Sequence, residues 1–151
     1  MTDEVIVRRS VPTDLDDIRL LVTQVLAECY GHLIPDVHAD PGEPWEHAWV
    51  AERRGRIIGV MKTAGGWLDD LWVARSARSA GLGGRLLDIA EREIVERGHP
   101  LARLRVVADN TGALRFYAHH GWRLDRRYPH ERHAFEMIEL VKTVSHDRPG
   151  A

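Results

Sequence analysis

A strand-to-helix turn with three glycines is the part of this sequence best suited to chemistry. Residues 71–87 read LWVARSARSAGLGGRLL: an apolar strand, a turn that contains arginine, and the start of an amphipathic helix. Glycine lets the backbone approach a ligand closely, and the N–H groups and positive dipole end of a helix N-terminus bind anions. The segment therefore predicts a site for a ligand that carries phosphate.

Two common phosphate loops do not fit this turn. A Walker loop ends in Gly-Lys-Ser/Thr, whereas residues 84–86 read GRL. A dinucleotide fingerprint needs a small residue three positions after its second glycine, and counting from Gly83 leads to Leu86. What remains is Arg78-x-x-Gly81-x-Gly83, which resembles the pyrophosphate loop of the GNAT N-acetyltransferase superfamily. That loop binds acetyl-coenzyme A (acetyl-CoA).

A second motif lies downstream and resembles the other coenzyme A motif of the same superfamily. Residues 110–122 read NTGALRFYAHHGW, in which Asn110 is suited to cap a helix and Gly121 to end it. The two motifs follow one another in the family's order, with one helix and one strand between them. Two motifs in this order make a chance match improbable.

The elements that must position these motifs follow from hydrophobic periodicity. The spacing predicts one helix that opens at Pro12 and ends at Gly31, a second over 83–97, and a third between Asn110 and Gly121. Residues 32–44 form a predicted loop with room for one helical turn, because they contain three prolines and a glycine. The predicted strands are 5–8, 45–51, 56–63, 67–73, 103–107, 122–126 and 133–141.

This order of elements resembles the GNAT fold across nearly the whole chain. The resemblance implies an α+β fold with a mixed, mostly antiparallel sheet of about seven strands and four helices. The fourth and fifth strands are expected to splay apart around the pantetheine arm. We expect one domain over residues 1–151, with a frayed tail over 145–151.

Composition excludes several classes of protein. The 151 residues carry 21 Lys and Arg against 23 Asp and Glu, a net charge of −2, so no basic field attracts nucleic acid. No apolar run is long enough to span a membrane, and the first residues do not resemble a signal peptide. The single cysteine, Cys29, fits a reducing compartment, and we expect a cytoplasmic protein. Homodimers are common in the family, so a dimer is an open expectation.

The resemblance implies acetyl-CoA as the donor and no metal. Asn110 matches the family asparagine that bonds the pantetheine arm, although a helix cap explains it equally well. The residues implied for the cofactor lie at the end of the fourth strand, in the glycine loop and in the second motif: Leu71, Trp72, Val73, Arg78, Ser79, Ala80, Gly81, Leu82, Gly83, Gly84, Asn110, Phe116 and Tyr117.

Acetyl transfer to an amine needs a base and an acid. An alkyl amine with a pKa near ~10.4 is only ~0.04% neutral at pH 7, and coenzyme A departs more readily once its sulfur is protonated. Tyr117 matches the family tyrosine that faces the thioester sulfur, which implies that it is the acid. Cys29 would be needed only for a ping-pong route, and a packed apolar role suits it better.

The base is expected on the strand over 67–73. Strand side chains alternate, so Trp67 and Asp69 share one face and Asp70 points to the other. Family positions that face the acceptor select Asp69, as a base or as the holder of a water, and Trp67 as a wall of the acceptor pocket. His133 is the alternative base.

The acceptor itself is left open by the sequence. Tyr30 and the segment that follows it, as far as residue 46, are expected to roof the acceptor pocket, and the carboxylates there suit a cationic amine. His119 and His120 are adjacent on a helix and cannot easily bind one ion together, and no cysteine cluster assists them or the pair His130 and His133, so we expect no zinc site. The alternative function is a noncatalytic acyl-CoA sensor or interaction module.

Overall fold

The computed structural model describes residues 4–78 and 80–144. Their α-helices are α1 (Leu15–Tyr30), α2 (Leu82–Glu96) and α3 (Thr111–His119), and short 3-10 helices at Pro12–Asp14 and Arg75–Ala77 precede the first two. The strands are β1 (Ile6–Arg9), β2 (Trp49–Arg53), β3 (Arg56–Ala64), β4 (Trp67–Val73), β5 (Leu101–Val107), β6 (Arg123–Pro129) and β7 (Glu136–Thr143).

The seven strands form one mixed sheet in the order β1-β2-β3-β4-β5-β7-β6. The pairs β1–β2, β2–β3, β5–β7 and β6–β7 are antiparallel. Strands β4 and β5 run parallel, with Trp67 opposite Arg103. The expected α+β class and mixed, mostly antiparallel sheet are confirmed. The splay of β4 and β5 stays a prediction.

Two expectations about the elements were wrong. Four helices were expected, whereas the described residues contain three α-helices, because residues 31–48 with their three prolines form turns. The second strand begins at Trp49 rather than Trp45. Residues 45–48 form a turn in which the Ala48 N–H donates to the Trp45 carbonyl, which also accepts from the Ser10 hydroxyl. The predicted tail over 145–151 lies outside the described residues.

The last two strands also begin later than predicted. Strand β6 starts at Arg123 and β7 at Glu136, whereas 122 and 133 were expected. Between them His133 and Phe135 stack face to face, with ring centroids 5.2 Å apart. The buried run of β7, from Ile138 to Val141, starts only after this pair of rings.

The described residues fall into two compact units, and the single-domain expectation stays a prediction. The first unit comprises Met1–Lys62 and Asp70–Ile89. Its core is the apolar face of α1 packed on β2 and β3, as the helical spacing predicted. The buried residues of this core are Ile18, Leu21, Val22, Val25, Ala39, Trp45, Ala48, Val50 and Val60.

The second unit comprises Thr63–Asp69 and Ala90–Ala151. Here β5 alternates buried apolar residues, β7 carries the buried run from Ile138 to Val141, and α3 adds Tyr117, whose ring lies 5.9 Å from that of Trp122. Glu139 is buried on β7 and pairs with both Arg103 (3.1 Å) and Arg126 (3.2 Å). In neither unit does a described helix have the length and apolar character needed to cross a membrane.

A partly buried ion pair ties β1 to the start of α1 in the first unit. The Arg8 guanidinium donates to both Asp14 carboxylate oxygens, at 2.8 and 3.0 Å, and to Glu52 at 2.7 Å. Asp14, which is only 7% exposed, also accepts from the Val11 N–H at 2.8 Å. The hydrogen bonds from Arg8 hold the pKa of the Asp14 carboxyl below its usual range.

Replacing Asp14 tests this tie. We expect Asp14→Asn to lower the free energy of unfolding at pH 7 by about 1–3 kcal/mol, because the variant removes a charge-assisted bidentate contact. Since folding lowers the pKa of Asp14, its stabilising effect is present above the pKa of the unfolded chain and is lost as the pH falls through the acid range. Urea titrations at pH 7 and pH 3 measure both effects.

The matched control is Asp17→Asn, which removes an exposed carboxylate from the first turn of α1. It should change stability by no more than about 0.5 kcal/mol. Equal losses in the two variants at pH 7 would show that helix-end charge, and not the pair with Arg8, is responsible.

Candidate functional site

The glycine turn leads into α2 with the geometry of an anion site. Gly81 has a φ of +81°, in the left-handed region that glycine adopts without strain. The first helical bond that starts from this turn runs from the Arg85 N–H to the Gly81 carbonyl at 3.1 Å. The amides of Leu82, Gly83 and Gly84 therefore belong to the first turn, where a helix supplies no acceptor. A Cβ on Gly81 would meet nothing within 4 Å, so the space beside the turn is open.

Close packing holds the first turn of α2 against β3. A Cβ on Gly59 would lie 3.1 Å from the Leu86 side chain and 3.3 Å from that of Leu82. Both leucines are buried, Leu86 completely. Glycine at position 59 thus lets the helix that carries the predicted phosphate amides approach the strand closely.

Arg78 connects the glycine turn to β4 and α1. Its Nε donates to the Val73 carbonyl at 3.2 Å, and a terminal nitrogen donates to Glu28 at 3.2 Å. The side chain is 40% exposed, so the guanidinium is accessible to a ligand. Ala80 is exposed next to it, and Ser79 lies outside the described residues.

The end of β4 carries the predicted pantetheine contacts Leu71, Trp72 and Val73, all half-buried. After them the Ala74 N–H donates to the Ile58 carbonyl on β3 at 2.8 Å. Within the first unit the structure therefore brings together the end of β4, Arg78 and the glycine turn.

The two aspartates of β4 lie in opposite environments, as strand alternation predicted. Asp69 is exposed, whereas Asp70 is only 8% exposed. The Trp72 indole N–H donates to Asp70 Oδ1 at 2.8 Å, and Lys62 Nζ lies 3.9 Å from Oδ2. Burial, and then the neighbouring carboxylate of Glu43, raise the pKa of Asp70 to about 8.

Sequence reasoning assigned no role to Asp70, Glu43 or Lys62 as a group. Strand alternation had placed Asp70 on the face opposite Asp69, which it shares with the apolar Leu68 and Trp72. The face of Asp69 is equally apolar, so strand alternation alone did not indicate which of the two carboxyls is buried. No pattern near Asp70 in the sequence indicates Glu43 as its neighbour, because Glu43 lies in the loop before β2.

Helix α3 carries the second motif in the second unit. Asn110 caps the helix through its side-chain oxygen, which accepts from the Ala113 N–H at 3.1 Å. Tyr117 is 9% exposed and makes edge contacts with Phe116 (ring centroids 5.2 Å apart) and Trp122. The side-chain oxygen of Asn110 thus takes part in the helix cap, the role that explains this residue without a ligand.

The predicted acceptor residues have well-defined neighbours within their own units. Trp67 on β4 lies beneath the Arg105 guanidinium, 4.2 Å from the ring centroid. His133 is exposed, and its backbone N–H donates to His130 Nδ1 at 3.2 Å. Tyr30 is 8% exposed at the end of α1, where its carbonyl accepts the N–H groups of residues 33 and 34.

Cys29 lies near the end of α1, packs against the core of the first unit and is half-buried. Burial raises the pKa of its thiol, and the charge of Arg78 only partly opposes this. The thiolate needed for covalent catalysis is therefore disfavoured at neutral pH. Over residues 4–78 and 80–144, no three His, Cys, Asp or Glu side chains are grouped to hold a metal ion.

Comparison with known sequences places this geometry in a family. The model of the acetyltransferase (GNAT) family matches residues 18–122, which include the glycine turn and α3. A curated relative, mycothiol acetyltransferase of Streptomyces bingchenggensis, is 36% identical over 96 residues. The match covers 58% of this chain and only 31% of that relative.

Solved structures agree on the fold. YjaB from Escherichia coli superimposes with a TM-score of 0.73 at 19% identity, over 91% of this chain and 97% of that one. YncA from Salmonella typhimurium, solved with its cofactor acetyl-CoA, gives a TM-score of 0.72 at 16% identity, over 98% of this chain and 99% of that one. At such identities the likeness concerns the fold.

The left-handed conformation of Gly81 can be tested by substitution. We expect Gly81→Ala to lower the free energy of unfolding by about 1–2 kcal/mol, because an L-residue is strained at a positive φ. The space around the position is open, so any loss comes from the backbone and not from a clash. Thermal or urea unfolding measures it.

Gly112→Ala provides the opposite control. Gly112 lies in the first turn of α3, where the described atom nearest to an added Cβ is the Asn110 side-chain oxygen at 3.9 Å. Alanine should there stabilise the protein by up to about 1 kcal/mol. A Gly81→Ala variant as stable as the parent would show that the turn adopts another conformation in solution.

Proposed function

Because this chain belongs to the acetyltransferase (GNAT) family, we propose that it transfers an acetyl group from acetyl-CoA to a primary amine. The observation that carries the proposal is the open glycine turn at the start of α2, with Arg78 at its side. The transfer is direct, in a complex of both substrates, since the half-buried Cys29 is poorly suited to carry an acyl group.

The first-turn amides and Arg78 hold the pyrophosphate. Backbone N–H groups and the helix dipole supply partial positive charge, and the guanidinium adds a full charge that can bind phosphate through two donors. Glu28 holds Arg78 in place beforehand and gives up part of that pairing when phosphate arrives. Related folds solved with coenzyme A or acetyl-CoA bound support this role.

The thioester lies along the end of β4. The N–H groups of Leu71 or Val73 donate to its carbonyl oxygen and stabilise the negative charge that develops there. The amine nitrogen forms a bond with the carbonyl carbon, the carbon–sulfur bond breaks, and the Tyr117 hydroxyl gives its proton to the departing sulfur. Asn110 caps α3 with its side-chain oxygen and is the proposed contact of the pantetheine arm.

Asp69 is the proposed base. It is the exposed carboxylate of β4, and it accepts the amine proton directly or through a water that it holds. Trp67 forms a wall of the acceptor pocket, and its contact with Arg105 fixes the ring. His133 remains the alternative base.

The acceptor is a cationic small molecule or peptide amine. Tyr30 and residues 32–46 form the roof of its pocket, and that segment contains Asp36, Asp40, Glu43 and Glu46. Negative charge on the roof attracts an ammonium group before it loses its proton. The protein acts alone or as a homodimer, without a metal, in the cytoplasm.

Ligand-dependent stability tests the donor. At one hundred times its Kd, acetyl-CoA should stabilise the native state by about 2.7 kcal/mol and raise the unfolding midpoint by roughly 5–10 °C. ADP and NAD serve as controls for the nucleotide portion. A shift with acetyl-CoA alone supports the proposed donor, whereas an equal shift with NAD, or none, contradicts it.

An amine panel then separates the enzyme from a sensor. Polyamines, amino sugars, amino acids and peptides with a free N-terminus are incubated with the protein and acetyl-CoA, and release of free thiol is followed. Acetyl-CoA binding with no transfer to any member would favour the noncatalytic module.

Conservative variants test the acid and the base. We expect Tyr117→Phe to lower kcat by about 10²-fold or more with the Kd of acetyl-CoA unchanged, because only the proton donor is removed. Asp69→Asn should lower kcat/KM most at low pH, where the amine is fully charged. Tyr128→Phe on β6 is the matched control. Full kcat across the pH range in Tyr117→Phe would remove its assignment as the acid.

A further inference from the structure

The buried group on the second face of β4 is not used by the proposed reaction. It consists of Asp70 on β4, Lys62 on β3 and Glu43 from the loop that precedes β2. Asp70 and Lys62 are mostly buried, with side chains 9% and 14% exposed, and Glu43 is 27% exposed. Two carboxyl groups and one ammonium therefore share a site that water reaches poorly.

The hydrogen bonds leave one oxygen of this group without a donor. Lys62 Nζ donates to the Pro44 carbonyl at 2.7 Å and pairs with Glu43 at 3.0 Å, but lies 3.9 Å from Asp70 Oδ2. Asp70 Oδ1 accepts from Trp72, whereas Oδ2 is buried and, among the described residues, has no hydrogen-bond donor. An ionised carboxylate oxygen in this position would be costly.

A proton on Asp70 Oδ2 removes that cost. Protonated Oδ2 becomes a hydrogen-bond donor. The neighbouring Glu43 carboxylate, which raises the pKa of Asp70, is the group that accepts this hydrogen bond. The group then holds one negative carboxylate against one ammonium, so its net charge is zero. Two ionised carboxylates against the same lysine would leave a buried net charge of −1.

We propose that Asp70 keeps a proton at neutral pH and donates it to Glu43, so that Asp70, Glu43 and Lys62 form a clasp that fixes the loop over residues 43–48 on β3 and β4. The clasp opens in alkaline solution, when Asp70 loses the proton. Its members are positioning residues: they set the place of the loop and touch neither acetyl-CoA nor the acceptor.

The clasp supplies part of the loop's attachment, beside the hydrogen bonds from Arg9 and Ser10 to residues 45, 47 and 48. Lys62 Nζ lies 4.7 Å from the centroid of the Trp45 ring, and Trp45 is only 3% exposed. The same ammonium holds the Pro44 carbonyl. If Lys62 turns towards an ionised Asp70, both of these contacts weaken.

The direction of the pH effect follows from the charges around Asp70. Burial and Glu43 raise its pKa to about 8, while the Trp72 N–H and the Lys62 ammonium oppose the rise. Folding therefore raises an acid's pKa, so the folded chain binds more protons than the unfolded chain between the two pKa values. Stability should fall as the pH rises from about 4 to about 8.

Asp70→Asn is the decisive variant, because asparagine mimics the protonated acid. Its oxygen still accepts from Trp72, its NH₂ can donate to Glu43, and it cannot ionise. Hydrogen-exchange protection factors of residues 43–48 are measured between pH 6 and pH 9.5. The parent should lose protection at least tenfold across this range, and Asp70→Asn should keep it.

Two further variants make the result specific. Glu43→Gln should shift the loss of protection to lower pH, because Asp70 then has no adjacent carboxylate. Glu46→Gln removes an exposed carboxylate of the same loop and should behave like the parent. The ¹³C chemical shift of the Asp70 carboxyl, assigned through the backbone and Cβ resonances of the same residue, reports the proton directly.

Several outcomes would overturn the clasp. A carboxyl shift that titrates below pH 5 would show that Asp70 is ionised at neutral pH. Protection that is constant from pH 6 to pH 9.5 in the parent, or equal losses in the parent and Asp70→Asn, would show that the proton does not hold the loop. If Asp70→Asn does not fold, Glu43→Gln and the ¹³C titration still decide.

The kinetic consequence rests on the proposed function, in which this loop roofs the acceptor pocket. The KM for the amine should rise above pH 8 in the parent and not in Asp70→Asn, with the Kd of acetyl-CoA the same in both. A protein that shows the exchange behaviour but no transfer would refute the proposed function and leave the clasp standing. A protein that transfers acetyl groups but shows no pH-dependent exchange in the loop would refute the clasp alone.

Discussion

The two-residue period of β4 is the constraint on which the rest of the candidate site depends. It directs Asp69 to solvent and Asp70 into the interior, although the two are neighbours in sequence. A buried carboxyl is tolerated only when its charge is removed or matched, and here Trp72, Lys62 and Glu43 surround it. The strand that carries the proposed base thus also fixes the position of the loop before β2.

A second constraint acts at the start of α2. The helix must approach β3 closely, and the N–H groups of its first turn must face open space. Gly59 permits the first because a side chain there would press on Leu82 and Leu86, and Gly81 permits the second through its positive φ. The two glycines are far apart in sequence, yet each serves the same helix end. An anion site at this point therefore depends on packing as much as on the glycine motif.

The second unit shows how one residue can serve both structure and ligand. The Asn110 oxygen caps α3, and the same side chain is the proposed contact of the pantetheine arm. Tyr117 is held between two aromatic rings, so its orientation is set by packing before any substrate arrives. Preorganised groups of this kind cost less to align during a reaction.

The sequence by itself determined the elements that are defined by local signals. The bounds of β4 were predicted correctly, and those of α2 to within one residue. The patterns that define a strand, a glycine turn and an amphipathic helix each depend on neighbouring residues of the sequence. The family resemblance came from the same local motifs. The loop over residues 31–48 and the starts of β2, β6 and β7 were placed less well, since turns and aromatic contacts there compete with strand propensity. Only the tertiary structure decided the environment of Asp70, because its proton depends on burial and on Glu43 and Lys62, which reach it from other segments of the chain.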